Sequence, residues 1–292
     1  MSPDRIGIIG LGIMGKPMAF NLLKANYKLG LYARRYSSLH SFESHDVEIF
    51  KSPAELAQHC TITITMVEDS PDVAEIVIGS NGIIHGANRK HLVIDMSTIS
   101  PEVTRQLAQR LSDQNVDMLD APVSGGEQGA IDGKLSIMVG GNANVFDRAL
   151  PVFQCLGKNI IHVGAHGAGQ VAKACNQILV AQTISAVAEA FLLAKSSGVD
   201  PSKVRDALLG GFASSKILEV HGKRMLDDNY QPGFKAKLHN KDMRIALSSA
   251  VENKISLPGA KLVARYLQEV VASGDGDLDS AAIAKIIFGE VK

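Results

Sequence analysis

The first half of the chain alternates short, continuously apolar runs with segments whose apolar residues recur at helical spacing. Arg5–Ile9, Leu29–Ala33, Thr61–Val67, Leu92–Asp95, Met118–Asp120, Ser136–Val139 and Ile160–Val163 are predicted strands. Several are apolar at successive positions, as parallel strands covered on both faces require. Helix starts between them are well marked. Ser52-Pro53-Ala54-Glu55 offers a capping serine, a proline at the first helical position and a glutamate at the third. Ser70-Pro71 and Ser100-Pro101 repeat the cap-plus-proline signal. This alternation predicts an α/β domain with a doubly wound sheet. Past Gly164 only the helical period remains, over Ala168–Ser197, Pro201–Leu209, Ser214–Asp227, Lys235–Glu252, Pro258–Ser273 and Leu278–Phe288. The expected organisation is an α/β domain over 1–164 and an all-helical domain over 165–292.

The 292 residues suit two domains. Thirty basic and thirty acidic residues cancel, which argues against a nucleic-acid partner. Cys60, Cys155 and Cys175 lie far apart without a CxxC pair, as expected of reduced thiols in a cytoplasmic protein. The first apolar run is broken by glycines soon after Ile6, so no signal peptide is expected. The longest run, Ile178–Ala194, holds Gln182, Thr183, Ser185 and Glu189, which points to a buried core helix and away from a membrane span. The nine histidines form no HExxH or other ligand spacing, so no metal is expected.

The first strand runs into Gly10-Leu11-Gly12-Ile13-Met14-Gly15, after which a helical pattern continues to Ala25. Gly10 permits a tight turn, Gly12 lets a pyrophosphate approach the backbone, and Gly15 lets helix and strand pack closely. The phosphates would meet the helix N-terminus, where free amides and the dipole favour anions. In this context the motif predicts a Rossmann-type dinucleotide site. The second strand ends at Ala33-Arg34-Arg35, where NAD sites usually carry an acid for the ribose hydroxyls. Two arginines there suit a 2′-phosphate. NADPH is the expected cofactor, with NAD also accepted.

A second cluster carries chemistry. Lys173, Asn176 and Gln177 are spaced i, i+3 and i+4 in an apolar helical run, so they share one face. A lysine in such a helix is costly to desolvate unless its charge is used. Beside a nicotinamide, an ammonium group can stabilise and protonate a carbonyl oxygen under reduction. Ser124-Gly125-Gly126 follows a predicted strand and offers a hydroxyl with consecutive unobstructed amides, a combination able to bind a carboxylate. Taken singly, each feature also reads blandly, as a flexible loop or a snorkelling lysine.

Together with Lys241-Asp242, these motifs make the chain similar to the β-hydroxyacid dehydrogenases, a family that includes 3-hydroxyisobutyrate and 6-phosphogluconate dehydrogenases. The resemblance covers essentially the whole length and implies a helical domain like the C-terminal domain of 6-phosphogluconate dehydrogenase. Within the family, Gly210-Gly211-Phe212-Ala213-Ser214-Ser215, the Ile217–His221 segment and the Asn176-Gln177 pair resemble the branch that reduces tartronate semialdehyde to glycerate. Gln177 stands where the 3-hydroxyisobutyrate branch commonly has asparagine.

The resemblance implies roles by position. Lys173 matches the catalytic lysine. Ser124, Gly125 and Gly126 match the loop that holds the substrate carboxylate, and Asn176, with its neighbour Gln177, a substrate-orienting amide. Thr98 matches a contact to the nicotinamide ribose, and Met66 and Val67 end the strand that passes the cofactor. Lys241 matches a lysine that reaches cofactor and substrate, while Phe234 reads equally as nicotinamide pocket or core. Family likeness also implies a homodimer or homotetramer and a small hydroxy or aldehyde carboxylic acid as substrate. The alternatives are the same chemistry on 3-hydroxyisobutyrate, succinic semialdehyde or glyoxylate, and a non-catalytic NADP-binding module. An imine reductase would usually replace the lysine.

Overall fold

The computed structural model describes residues 4–289 and divides into two compact units, the first running to Lys173 and the second from Ala174. This division lies inside a long helix, further along than Gly164. The first unit opens with β1 (Arg5–Ile9), α1 (Gly15–Lys24), β2 (Lys28–Tyr32), a 3-10 segment (Tyr36–Phe42), β3 (Val47–Ile49), α2 (Pro53–His59) and β4 (Ile62–Thr65). It continues with α3 (Ser70–Ile78), β5 (Leu92–Asp95), α4 (Pro101–Ser112) and β6 (Asp117–Asp120). These strands pair in parallel in the order β3-β2-β1-β4-β5-β6. The order reverses between β1 and β4, so the glycine loop after β1 sits at the switch point, where open α/β sheets bind ligands.

The sheet then departs from the all-parallel expectation. β7 (Val123–Ser124), α5 (Gly126–Ile131), β8 (Leu135–Gly141), α6 (Ala143–Leu156) and β9 (Gly157–Gly164) follow. β8 runs antiparallel to β6 and β7 and parallel to β9. Between β6 and β8 the chain holds only the two-residue β7 and the short α5, less than the crossover a parallel return needs. Apolar runs do not encode direction, so the sequence pattern could not show the reversal. β3 escaped prediction because it is a short, partly exposed edge strand interrupted by Glu48.

Side chains alternate between two cores. Ile6, Ile8, Ile62, Ile64, Leu92 and Ile94 face one, with Met18 and Leu22 of α1 and Phe153 of α6. Ile9, Val93 and Met118 face the other, with Leu56, Val73 and Leu107 of α2, α3 and α4. Both faces of the sheet are therefore covered, as the continuous apolar runs required. Ser52 caps α2, its Oγ accepting from the Glu55 amide at 3.1 Å, and Ser100 caps α4 in the same way. At α3 the cap is Asp69, not Ser70: the carboxylate accepts from the Ser70 amide at 2.7 Å. The Ser70 hydroxyl instead accepts from the Ser100 amide at 3.1 Å.

The second unit is helical. α7 (Ala168–Ser196) enters it from the first, followed by α8 (Pro201–Leu209), α9 (Lys216–Leu226), α10 (Ala236–Glu252), α11 (Pro258–Ala272) and α12 (Ile283–Ile287). Ala181, Ile184, Ala188 and Phe191 of α7 meet Leu218, Met243, Val263, Leu267 and Ile283 in one core. By length and composition α7 could cross a membrane, yet 44% of its most apolar stretch is buried. Its buried polar residues Gln170, Lys173, Gln177 and Ser185 mark it as a core helix. The helix expected over Leu278–Phe288 is instead a 3-10 turn (Ser280–Ala282) leading into α12. Asp279 pairs in extended form with Lys235 and caps the turn through the Ala281 amide, which delays the helix.

Buried His91 precedes β5. Its Nδ1–H donates to Cys60 O at 3.1 Å, and its Nε2 accepts from the Thr63 hydroxyl at 2.9 Å. That pairing fits only a neutral ring. Burial, helped by the charge of Arg148, lowers its pKa from 6.5 to about 4. The unfolded state therefore binds the extra proton first, and stability is lost as pH falls from 6.5 towards about 4. Urea unfolding at pH 7 and pH 5 should show the wild type losing up to about 2 kcal/mol more than His91→Gln. An equal pH response in both proteins overturns this assignment.

Candidate active site

The glycine loop is shaped by close backbone contact. Gly10 has φ +100°, and a Cβ there would lie 2.1 Å from Met66 O. A Cβ on Gly15 would lie 1.9 Å from Gly10 O, so α1 packs directly on the turn. A Cβ on Gly12, in contrast, would meet nothing within 4 Å. That open side, beside the first-turn amides of α1, fits a pyrophosphate. Ile13 is exposed, Leu11 is buried, and Met14 precedes the first helical turn. Met66 and Val67 form the wall against Gly10.

A hydrogen-bonded chain links this loop to Lys173, all within the first unit. The Val67 amide donates to Ser97 Oγ at 2.9 Å, beyond the end of β5. Gln170, 1% exposed in the first turns of α7, donates through Nε2 to Ser97 O at 2.8 Å. Its Oε1 accepts from the Ile99 amide at 3.1 Å. One side chain thus brackets Thr98 on both sides. Asp120, at the end of β6, accepts from the Gly167 amide at 2.8 Å and the Gln170 amide at 3.0 Å. Burial pushes the Asp120 carboxyl up, and the two amides and His166 pull against that rise. Gly169 passes so close that a Cβ would sit 2.3 Å from Met138 O.

These bonds seat the first turns of α7 on the carboxyl ends of β5 and β6. Lys173, one turn beyond Gln170, is 7% exposed. Asp120 also begins the segment leading to Ser124. Gly125 and Gly126 adopt φ +136° and +62°, conformations that favour glycine. Asp95 supports the Ser97 turn, its Oδ1 accepting from Thr65 Oγ1 at 2.8 Å and the Ser97 amide at 3.1 Å. Burial raises its carboxyl to about 6 against the pull of those bonds, and Oδ2 has no hydrogen-bond partner. A proton on that oxygen is thereby favoured at mildly acidic pH.

In the second unit, Asn176 Nδ2 donates to Gln177 Oε1 at 2.8 Å, and Gln177 Nε2 donates to Asp242 Oδ2 at 2.6 Å. Lys241 Nζ lies 3.2 Å from Asp242 Oδ1. The Gln177 amide is thus occupied in holding Asn176 and Asp242. Half-buried Phe234 stacks obliquely on His239 at 5.5 Å, and its amide donates to Asp279. Burial works against the Asp279 charge, but bonds from His221 and from the Ala281 and Phe234 amides win, leaving its pKa at about 2. Arg34 and Arg35 are exposed beyond β2, and Arg34 forms an ion pair with Asp72. Among the described residues, no group of three or more His, Cys, Asp or Glu is placed to hold a metal ion.

Sequence reasoning singled out neither Gln170, Asp120, Asp242 nor Asp72 for a role. The first three lie inside or beside quoted motifs, and a polar residue one turn before a buried lysine was an available signal for Gln170. Asp72 resembles any first-turn acid.

A glycine loop at the switch point, with a buried lysine seated beside the same strand ends, defines an NAD(P)-dependent oxidoreductase. Residues 5–164 match the family described as the NAD binding domain of 6-phosphogluconate dehydrogenase. Residues 167–287 match the NAD-binding domain of NADP-dependent 3-hydroxyisobutyrate dehydrogenase. The chain belongs to the β-hydroxyacid dehydrogenase family. It is 44% identical to 2-hydroxy-3-oxopropionate reductase of Escherichia coli K12 over 97% of each chain. It is 30% identical to glyoxylate/succinic semialdehyde reductase 1 of Arabidopsis thaliana over 97% of this chain and 98% of that one. The solved Mycobacterium tuberculosis 3-hydroxyisobutyrate dehydrogenase, with L-serine, superposes with a TM-score of 0.90 at 30% identity, covering 98% and 99%.

Replacing Gln170 with leucine strands the Ser97 carbonyl and the Ile99 amide in a buried setting, at a cost of about 2 kcal/mol or more. Urea unfolding should register that loss, and calorimetric titration should show weaker NADPH binding as the Thr98 turn loosens. Wild-type values in both would remove Gln170 from the site.

Proposed function

We propose that this protein is an NADPH-preferring reductase that converts tartronate semialdehyde to glycerate. The observation that carries this reading is the buried Lys173, seated by Gln170 and Asp120 beside the strand ends that bear Thr98 and Ser124. The near full-length similarity to the E. coli 2-hydroxy-3-oxopropionate reductase supports the substrate. L-serine, named with the M. tuberculosis enzyme, is itself a short 3-hydroxy carboxylate.

A dihydronicotinamide held at this loop would supply the hydride for the aldehyde carbon. Ser124 Oγ and the Gly125 and Gly126 amides hold the substrate carboxylate, fixing the carbonyl for attack. As the C=O π bond breaks, negative charge grows on the oxygen. The Lys173 ammonium stabilises that charge most in the transition state and delivers its proton to the oxygen, completing the primary alcohol. The family resemblance gives Asn176 and Lys241 the orienting of the substrate and Phe234 a place beside the nicotinamide; within the second unit, Gln177 bonds Asn176 and Asp242, and Asp242 pairs with Lys241. Thr98 would meet the nicotinamide ribose, as the family resemblance implies, and Arg34 and Arg35 would receive the 2′-phosphate. The working protein is a cytoplasmic homo-oligomer.

Lys173→Ala should lower kcat at least about 100-fold, the low end for lost general acid catalysis, while NADPH titration shows binding within a few-fold of wild type. A near-normal kcat removes Lys173 from the chemistry.

Substrate choice is read by NADPH oxidation with tartronate semialdehyde, glyoxylate, succinic semialdehyde and 2-methyl-3-oxopropanoate. The expected order places tartronate semialdehyde first in kcat/KM, and NADPH above NADH as donor. Faster turnover of glyoxylate or succinic semialdehyde would assign the protein to the activity of the Arabidopsis relative.

A further inference from the structure

Arg34 stands two residues past the end of β2, and Asp72 lies in the first turn of α3, beyond β4. β2 and β4 flank β1, with Tyr32 and Thr65 both level with Ile9. Arg34 Nη2 and Asp72 Oδ1 are 2.9 Å apart. This ion pair therefore joins the two loops on either side of Gly10, at the strand ends where a dinucleotide's adenosine half is bound. NAD sites usually place their ribose-binding acid at the end of β2. Here arginines occupy that end and the acid approaches from the neighbouring helix.

We infer that Asp72 is a specificity-determining residue that holds back the 2′-phosphate preference of Arg34 and keeps NADH usable. The inference rests on the dinucleotide site and the cofactor reading above. A guanidinium edge engaged by a carboxylate has fewer donors for a phosphate. NADPH must draw Arg34 away from Asp72, whereas NADH, with a hydroxyl in place of the 2′-phosphate, leaves that pair intact. The Arg34 side chain is 72% exposed and that of Asp72 24%. An exposed pair of this kind is weak, so it restrains phosphate binding without preventing it. Glu68 and Asp69 precede α3 in the same loop, but Asp69 is engaged as the helix cap.

Calorimetric titration of the full-length protein with NADPH and with NADH tests this directly. Asp72→Asn should raise the ratio of Kd for NADH to Kd for NADPH by about three- to fivefold, the scale of one exposed ion pair. Asp72→Ser, which keeps a residue common in helix first turns, should move the ratio in the same direction. In an Arg34→Ala background the gain should vanish. An unchanged ratio, a ratio shifted toward NADH, or the same gain without Arg34 overturns the inference. The wild-type ratio separately tests the cofactor reading: tighter binding of NADH sinks that preference, while the change caused by Asp72→Asn stays readable.

Discussion

The catalytic reading of this protein depends on the grip that Asp120 and Gln170 exert on the start of α7. A helix of this length carrying a buried lysine has no intrinsic reason to dock where it does. Two backbone amides on the Asp120 carboxylate and one glutamine side chain across the Thr98 turn supply that reason. The close passage of Gly169 over Met138 O leaves no room for a side chain. These contacts are buried, where each unmade bond would cost the desolvation of its group. The helical turn that carries Lys173 is thereby held to the strand ends.

Polar groups at the carboxyl ends of the strands do most of this positioning. Asp95, Ser97 and Asp120 each terminate or follow a strand, and each is buried. Buried carboxylates gather where β5 and β6 leave the sheet. The apolar body keeps the framework rigid, while the polar rim fixes loops of few residues. Binding and catalytic groups on such loops inherit the rigidity of the scaffold.

Much of this was legible in the residues. The glycine spacing, the proline-marked helix starts and the change of period after Gly164 correspond to the loop, the helices and the two kinds of architecture observed. Lys173 read as buried because its helix is apolar around it, and burial is what the structure records. Strand direction was not legible, because apolar runs look alike whichever way they point, and β8 reverses. Nor were pairings between distant residues. Nothing local distinguishes Asp72 from an ordinary first-turn acid, and only the strand order brings it to Arg34. Gln177 illustrates the same limit: its type suggested a substrate ligand, but its amide is spent on Asn176 and Asp242.

The placement of Asp279 bears on how the chain is made. All the strands of the first unit, and the α7 turn that Asp120 grips, precede Ala174, so that unit can consolidate while translation continues, as leading domains commonly do. The helical unit has no such early completion. Its core includes Ala281–Ala284, and the loop bearing Phe234 is bonded to Asp279 through the Gly233 and Phe234 amides. Until those late residues leave the ribosome, α9, α10 and α11 lack part of the apolar surface that joins them. Newly synthesised protein thus passes through a stage in which a finished nucleotide domain trails unfinished helices, and that stage is where chaperone demand should concentrate.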